Sequence, residues 1–244
     1  VKALIFAAGL GTRLKPITDS IPKALLPIGG KTLLEWQLEK LKAAGISDVV
    51  INVHHFAEKI IRFCEENHSF GMNIQFSDET EMLLETGGGL KKAAALLGET
   101  EPILVCNVDV LSNIDIHHLI ASHRDERLAT IVVSERQTQR YFLFDEEGLL
   151  RGWTNIATGA VKPESMPVEE AATYRRLAFS GMHVVSPQIF AVMQSYPEKF
   201  SITDFYIEQA TNHCIASFVP SDYRMMDIGK IDHLQEAEVF AHSL

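Results

Sequence analysis

Cysteine is scarce in this 244-residue chain, with Cys64, Cys106 and Cys214 its only three and far apart. Neither a disulfide framework nor a CxxC metal site fits that spacing, and reduced, mostly buried thiols are expected. Long apolar runs are also lacking: no stretch of about eighteen such residues occurs, so no transmembrane helix is expected. The opening VKALIFAAGLGTRL passes from an apolar strand straight into a glycine loop, unlike a cleavable signal, and a soluble cytoplasmic protein is the expectation. Basic clusters are missing too. The formal net charge is -10 and no block of Lys or Arg stands out, which removes the electrostatic footprint of a nucleic-acid binder. A small anionic ligand stays compatible with that charge, because a few local cations and helix N-termini outweigh a distant negative field.

What is present is enough apolar residue, 46%, to bury a core in one large or two small globular units. Short β-rich runs at Ala3 to Phe6, Val49 to Val53, Ile103 to Cys106 and Ala129 to Val133 alternate with helical spacings such as Leu33, Leu34, Leu38 and Leu41. That alternation predicts a doubly wound α/β fold with βαβ units. Between Glu135 and Arg176 the texture turns polar, with turn signals at Glu146-Glu147-Gly148 and Thr158-Gly159, and an inserted loop or hairpin region is expected. Periodic structure returns as a strand at Leu177 to Val185, helices at Gln188 to Ser195 and Thr203 to Asn212, and a strand at Ile215 to Val219. A closing helix is expected over Lys230 to Ser243.

The segment Ala7-Ala8-Gly9-Leu10-Gly11-Thr12-Arg13 follows the first strand, where the ligand crevice of an open α/β sheet lies. Gly9 and Gly11 permit close backbone approach to phosphate oxygens, and Thr12 and Arg13 add a hydroxyl and a cation. Leu14 stands where a dinucleotide fingerprint needs its third glycine, and the loop is not a Walker A motif. On the two glycines alone, a tight turn without a ligand is an equal reading. Pro16, Pro22 and Pro27 stiffen the continuation, which carries Lys23 as a second cation.

The whole string AAGLGTRLKPITDSIPKALLPI closely resembles the signature of the sugar-1-phosphate nucleotidyltransferases. The resemblance implies a Rossmann-like three-layer α/β/α fold with a mostly parallel mixed sheet. It implies one domain over residues 1–244, with a nucleotide-binding part to about 135 and a sugar-binding part from about 136. Arg13 and Lys23 are then the catalytic cations on the triphosphate and its leaving pyrophosphate. Ala7, Ala8, Gly9, Gly11 and Thr12 complete that side of the nucleotide site.

A second run, Glu85-Thr86-Gly87-Gly88-Gly89, precedes a helical pattern from Lys91 to Leu97 and reads as a flexible turn or a place of close ligand approach. In the family this position recognises the nucleobase, which brings in Glu85, Thr86, Gly87 and Gly88. LETGGG resembles the uridylyltransferases of N-acetylmuramate 1-phosphate and the guanylyltransferases of mannose 1-phosphate, so UTP and GTP both stay open. Asp109 ends a buried-looking strand, where a carboxylate suits a hard divalent cation or caps a helix. The resemblance makes Asp109, with Asp227 of Met225-Met226-Asp227-Ile228-Gly229, a ligand of Mg²⁺. Phe179-Ser180-Gly181 and Asn155 resemble the sugar-pocket segments, and Trp153 and Lys162 are weaker candidates beside them; a glycine in a strand also marks a bulge. His54 and His55 lack a partner at metal-ligand spacing and read as a polar wall.

The expected activity is Mg²⁺-dependent transfer of a nucleotidyl group from an NTP to a sugar 1-phosphate, with release of pyrophosphate. No nucleic-acid or membrane partner is expected, and the chain is a monomer or homodimer. A catalytically silent nucleotide-sugar-binding subunit is the alternative, opposed by the retention of Arg13, Lys23, Asp109 and Asp227 together. A nicotinamide-dependent dehydrogenase shares the α/β pattern but lacks its fingerprint.

Overall fold

A computed structural model describes residues 1–244. Strand β1 (Lys2–Phe6) feeds a loop of short 3-10 turns, the last of them at Lys23–Leu25. A ribbon of β2 (Pro27–Ile28) and β3 (Lys31–Thr32) leads into α1 (Leu33–Ala43). There follow β4 (Asp48–Val53), α2 (Ala57–Glu66), β5 (Asn73–Asp78), α3 (Glu85–Leu97) and β6 (Ile103–Asn107). Helix α1 starts where it does because Thr32 and Glu35 form a reciprocal capping box, and Lys40 and Lys42 sit at its negative end.

The second half runs through β7 (Val110–Ser112), α4 (Ile116–Ser122), β8 (Arg127–Ser134), β9 (Arg140–Phe144), β10 (Leu150–Asn155), β11 (Ala160–Lys162) and α5 (Val168–Ala171). It closes with β12 (Arg175–Val185), α6 (Ile189–Met193), α7 (Ile202–Gln209), β13 (Cys214–Phe218), β14 (Met225–Asp227) and α8 (Leu234–Ala241). The polar stretch after Glu135 is a three-stranded antiparallel meander, β9-β10-β11, turning at Gly148 and Gly159, both at positive φ. The closing helix is shorter than its pattern, because a 3-10 turn at Ile231–His233 precedes α8.

Strands β5, β4, β1 and β6 are neighbours in that order and parallel. Strand β12 joins antiparallel to β6 and β8, and its first residues pair with β9, which hangs the meander on the main sheet. The period of two along the buried strands builds two cores. Ala3, Ile5, Val49, Ile51 and Leu104 face the layer of α1, α2, α4 and α8. Leu4, Val50, Ile103 and Val105 face α3, α6 and α7. The sheet thus lies between two helical layers, the three-layer α/β/α arrangement expected, with a central parallel block, antiparallel additions and an edge strand β13 parallel to β8. No helix is long and apolar enough to cross a membrane. All three cysteines are free, and burial pushes the Cys64 and Cys106 thiols up to about 12, so both stay protonated.

Candidate active site

A cleft of about 420 Å³ opens at the carboxyl ends of β1 and β6, where strand ends of an open α/β sheet leave a crevice. Ala7, Ala8, Gly9, Gly11, Thr12 and Arg13 all line it. Gly11 sits at φ +63°, and a Cβ there would stand 2.8 Å from Thr18 Cγ2, so packing explains that glycine. Gly9 differs. It is not at positive φ, and a Cβ on it would meet nothing within 4 Å. The bare backbone at Gly9 serves the open cleft rather than the protein's own packing.

The loop is held from below. Asn52, buried at the end of β4, accepts from the N–H of Ala7 at 2.6 Å and of Ala8 at 3.2 Å. Its Nδ2 donates to Oε1 of the fully buried Glu79, whose Oε2 accepts from Leu84 N. The N–H groups of Ala7 and Ala8 are therefore taken, while no intramolecular hydrogen bond uses those of Gly9, Leu10 or Gly11. Sequence reasoning passed over Asn52 and Glu79. The available signal was a lone amide inside the apolar run Val49-Val50-Ile51-Asn52-Val53, because a polar side chain in a buried strand needs a partner. His54 belongs to the same support, its Nδ1 lying 2.6 Å from the Glu79 carbonyl oxygen.

Charge is concentrated on the opposite wall. Lys23 is largely buried and pairs with Asp109 Oδ2, whereas Arg13 is exposed and has no carboxylate partner. Pairing of β14 with β7 sets Asp227 opposite Val110, and Ile228 N donates to Asp109 O, so residues 118 positions apart become neighbours. A Cβ on Gly229 would lie 3.0 Å from Asp227 Oδ1 and 3.1 Å from Arg13 Nη2, which puts both groups at one backbone site. The Asp227 carboxyl is held above its ordinary range, first by the loss of surrounding water and then by the Asp109 charge, against the pull of Lys23, Arg13 and Arg136. Asp109 lines the cleft and Asp227 stands beside Gly229 on its wall, and two carboxylates so placed would suit a hard divalent cation, which takes oxygen ligands.

The second glycine run corrects its expectation. Gly87 and Gly88 are not a loop but the first turn of α3, and both N–H groups donate to Phe200 O. A Cβ on Gly87 would lie 2.4 Å from the Phe200 ring, and one on Gly88 2.0 Å from Glu198 O. These glycines admit the Glu198–Phe200 segment, and neither lines the cleft. Glu85 and Thr86 do line it, with Glu85 at φ +62° and Thr86 Oγ1 accepting from Ile202 N at 3.0 Å.

A second cavity of about 490 Å³ lies over one face of the meander. Asn155 and Phe179 line it, together with Trp153 and Lys162, the weaker candidates. Ser180 and Gly181 do not. They fall in the register break of β12 against β8, where Ser180 is buried and Gly181, at φ +72°, would place a Cβ 2.8 Å from Asn107 Nδ2. Gly181 is thus the bulge glycine, packed on a cleft residue. Arg136 and Arg140 also line the second cavity, and nothing in their sequence surroundings marked them.

A family model described as nucleotidyl transferase matches residues 2–243. The N-acetylmuramate alpha-1-phosphate uridylyltransferase of Caulobacter vibrioides is 33% identical over 195 residues, 78% of this chain and 76% of that protein. A mannose-1-phosphate guanyltransferase of Gibberella zeae is 40% identical over 138 residues, 55% of this chain but 38% of that longer protein. The solved structure of HddC from Yersinia pseudotuberculosis complexed with GMP-PN superposes with a TM-score of 0.77 at 23% identity, covering 98% of both chains, a likeness of fold.

Proposed function

The chain belongs to the nucleotidyl transferase family, and we propose that it transfers a nucleotidyl group from UTP or GTP to a sugar 1-phosphate, giving a nucleotide sugar and pyrophosphate. The observation that carries this reading is the meeting of Arg13, Lys23, Asp109 and Asp227 at one cleft beside the open glycine backbone. The names of the relatives support the choice of sugar 1-phosphate as acceptor. We assign the nucleotide to the part up to about residue 135 and the sugar to the part from about 136, with the reaction in the cytoplasm.

A phosphate oxygen of the sugar 1-phosphate attacks the α-phosphorus in line. The new P–O bond forms as the bond from the α-phosphorus to its β-bridging oxygen breaks, and pyrophosphate departs. No nucleophile from the protein is needed, so the protein's contribution is alignment and charge. The N–H groups of Gly9 to Gly11 and the Arg13 guanidinium receive the triphosphate, and Lys23 stands ready to move from Asp109 toward phosphate oxygens. Asp109 and Asp227 would hold Mg²⁺, which supplies neutralisation of phosphate charge when bound. Glu85 and Thr86 stand at the base end of the cleft, and Asn155 and Phe179 at the sugar. A silent binding subunit has no need of two cations and two carboxylates gathered at one cleft, and the convergence disfavours it.

The test is pyrophosphate release over a matrix of nucleoside triphosphates and sugar 1-phosphates with Mg²⁺. Release with UTP or GTP and at least one sugar 1-phosphate is expected. Silence across the matrix from a folded protein would sink the reading.

A further inference from the structure

The two carboxylates of the cleft ride on a ribbon that lies apart from the main sheet. Strands β7 and β14 pair only with each other, with Asp109 just before the first and Asp227 at the end of the second. Ile228 N donates to Asp109 O at 2.9 Å and Asn113 N donates to Arg224 O at 3.1 Å, so the residues that bond across the ribbon alternate from Asp109 through Leu111 to Asn113. By that alternation the carbonyls of Val110 and Ser112 point away from β14, along the free edge of the ribbon.

Helix α1 takes both carbonyls. Gln37 Nε2 donates to Val110 O at 2.7 Å, and Lys40 Nζ donates to Ser112 O and, at 3.0 Å, to Ser112 Oγ. The two donors stand three residues apart on one helix face, so α1 meets the ribbon edge in the manner of a third strand. Gln37 is 2% exposed and shares the buried stripe of Leu33, Leu34, Leu38 and Leu41, where an apolar side chain would pack without the cost of desolvating an amide. The carbonyl it holds explains why an amide stands there. Helix α1 is itself fixed, by its capping box and by Trp36 Nε1 donating to Ile28 O at 2.8 Å. Val110 follows Asp109 directly and faces Asp227 across the ribbon, so a displacement of its carbonyl displaces both carboxylates.

Resting on the reading that Asp109 and Asp227 hold a divalent cation, we propose that Gln37 is a positioning residue for that pair, with Lys40 supporting it one turn further along α1. Neither side chain lines the cleft. They keep the ribbon edge against α1, and with it the separation of two oxygen donors on which a hard cation depends.

The experiment measures Mn²⁺ binding to the full chain through loss of the free-ion electron paramagnetic resonance signal, with the denaturant midpoint recorded for every variant. Asp109→Asn is expected to remove most of the binding. Gln37→Met, close in volume but without a donor, is expected to weaken Mn²⁺ binding about tenfold, the scale on which outer partners of a metal site act. Lys40→Met, at a half-buried position whose bonds lie further from the carboxylates, is expected to weaken it by a smaller factor. Trp36→Phe, which removes a hydrogen bond of the same helix away from the ribbon, is expected to lower the denaturant midpoint and leave Mn²⁺ affinity unchanged. Wild-type affinity in folded Gln37→Met, or an equal loss in Trp36→Phe, overturns the proposal while leaving the metal site standing. Should Gln37→Met not fold, Lys40→Met decides: a loss of affinity upholds the proposal and an unchanged affinity overturns it. A wild-type chain that binds no Mn²⁺, or binds it equally well after Asp109→Asn, overturns the metal reading and the proposal with it.

Discussion

The two cavities of this molecule are made in different ways. The first is made of backbone: a glycine loop at the ends of parallel strands, with N–H groups left open and a bare Cα at Gly9. The second is made largely of side chains standing on one face of an antiparallel meander, supplied by β9, β10 and β11. Backbone sites tolerate little substitution because the chain path itself is the ligand surface, and they suit the part of a reaction that never varies. A side-chain face changes one residue at a time, and it suits the partner that distinguishes one enzyme from another. On the proposed function, the contrast assigns the common chemistry to the first cavity and selectivity to the second.

The severest challenge to that division is at the charged wall of the first cavity. Arg13→Ala and Asp109→Ala are each expected to lower turnover by about two to four orders of magnitude, the usual cost of losing one preorganised electrostatic stabiliser. Steady-state pyrophosphate release measures it, and near-normal turnover of either variant removes that residue from the chemistry.

Support of the first cavity is open to a stability measurement. Gly88→Ala gains helix propensity of up to about 1 kcal/mol, but its Cβ meets the Glu198 carbonyl oxygen at 2.0 Å, and backbone yields less easily than a side chain. Overpacking wins, with a loss of about 1 to 3 kcal/mol visible in denaturant unfolding. An unchanged midpoint would mean that the Glu198–Phe200 segment moves aside freely.

The second cavity is expected to answer in KM. Trp153→Ala removes an aromatic wall and is expected to raise KM for the sugar phosphate about tenfold, the worth of one well-placed aromatic contact, with KM for the nucleotide nearly constant. A parallel rise in both values would erase the division between the cavities.

The smallest effect at neutral pH lies behind the second cavity. His183 is fully buried, stacks on Phe179 at 5.6 Å, and neither ring nitrogen has a partner; burial lowers its pKa from 6.5 to about 3. With the folded value depressed, its contribution is fully present above pH 6.5 and is lost as pH falls toward 3. His183→Leu is expected to flatten the decline of stability between those values while the slope near pH 7 stays the same. Thermal melts across pH measure this, and an unaltered acid slope would place the titration elsewhere.

Legibility in the sequence followed locality. The loop from Ala7 to Arg13 is contiguous, and its glycines and cation announce themselves whatever surrounds them. Arg140 and Trp153 come to one cavity through strand register, and Arg136 reaches it from the segment before β9, which no local pattern expresses. Gly87 and Gly88 misled for the same reason: a glycine is identical on the page whether it admits a ligand or a neighbouring chain segment. Asn52 was visible as a polar residue in an apolar strand, yet its partners come from another loop.

By itself the sequence determined the α/β alternation and the glycine loop after β1, because each depends on residues close together along the chain. Tertiary structure alone decided that Asp227 joins Asp109, that Asn52 pins Ala7 and Ala8, and that two arginines face one cavity unpaired. The physical reason is range. Hydrogen bonding and propensity act along the chain, whereas charge, burial and steric contact act through space between segments that only the closed sheet brings together.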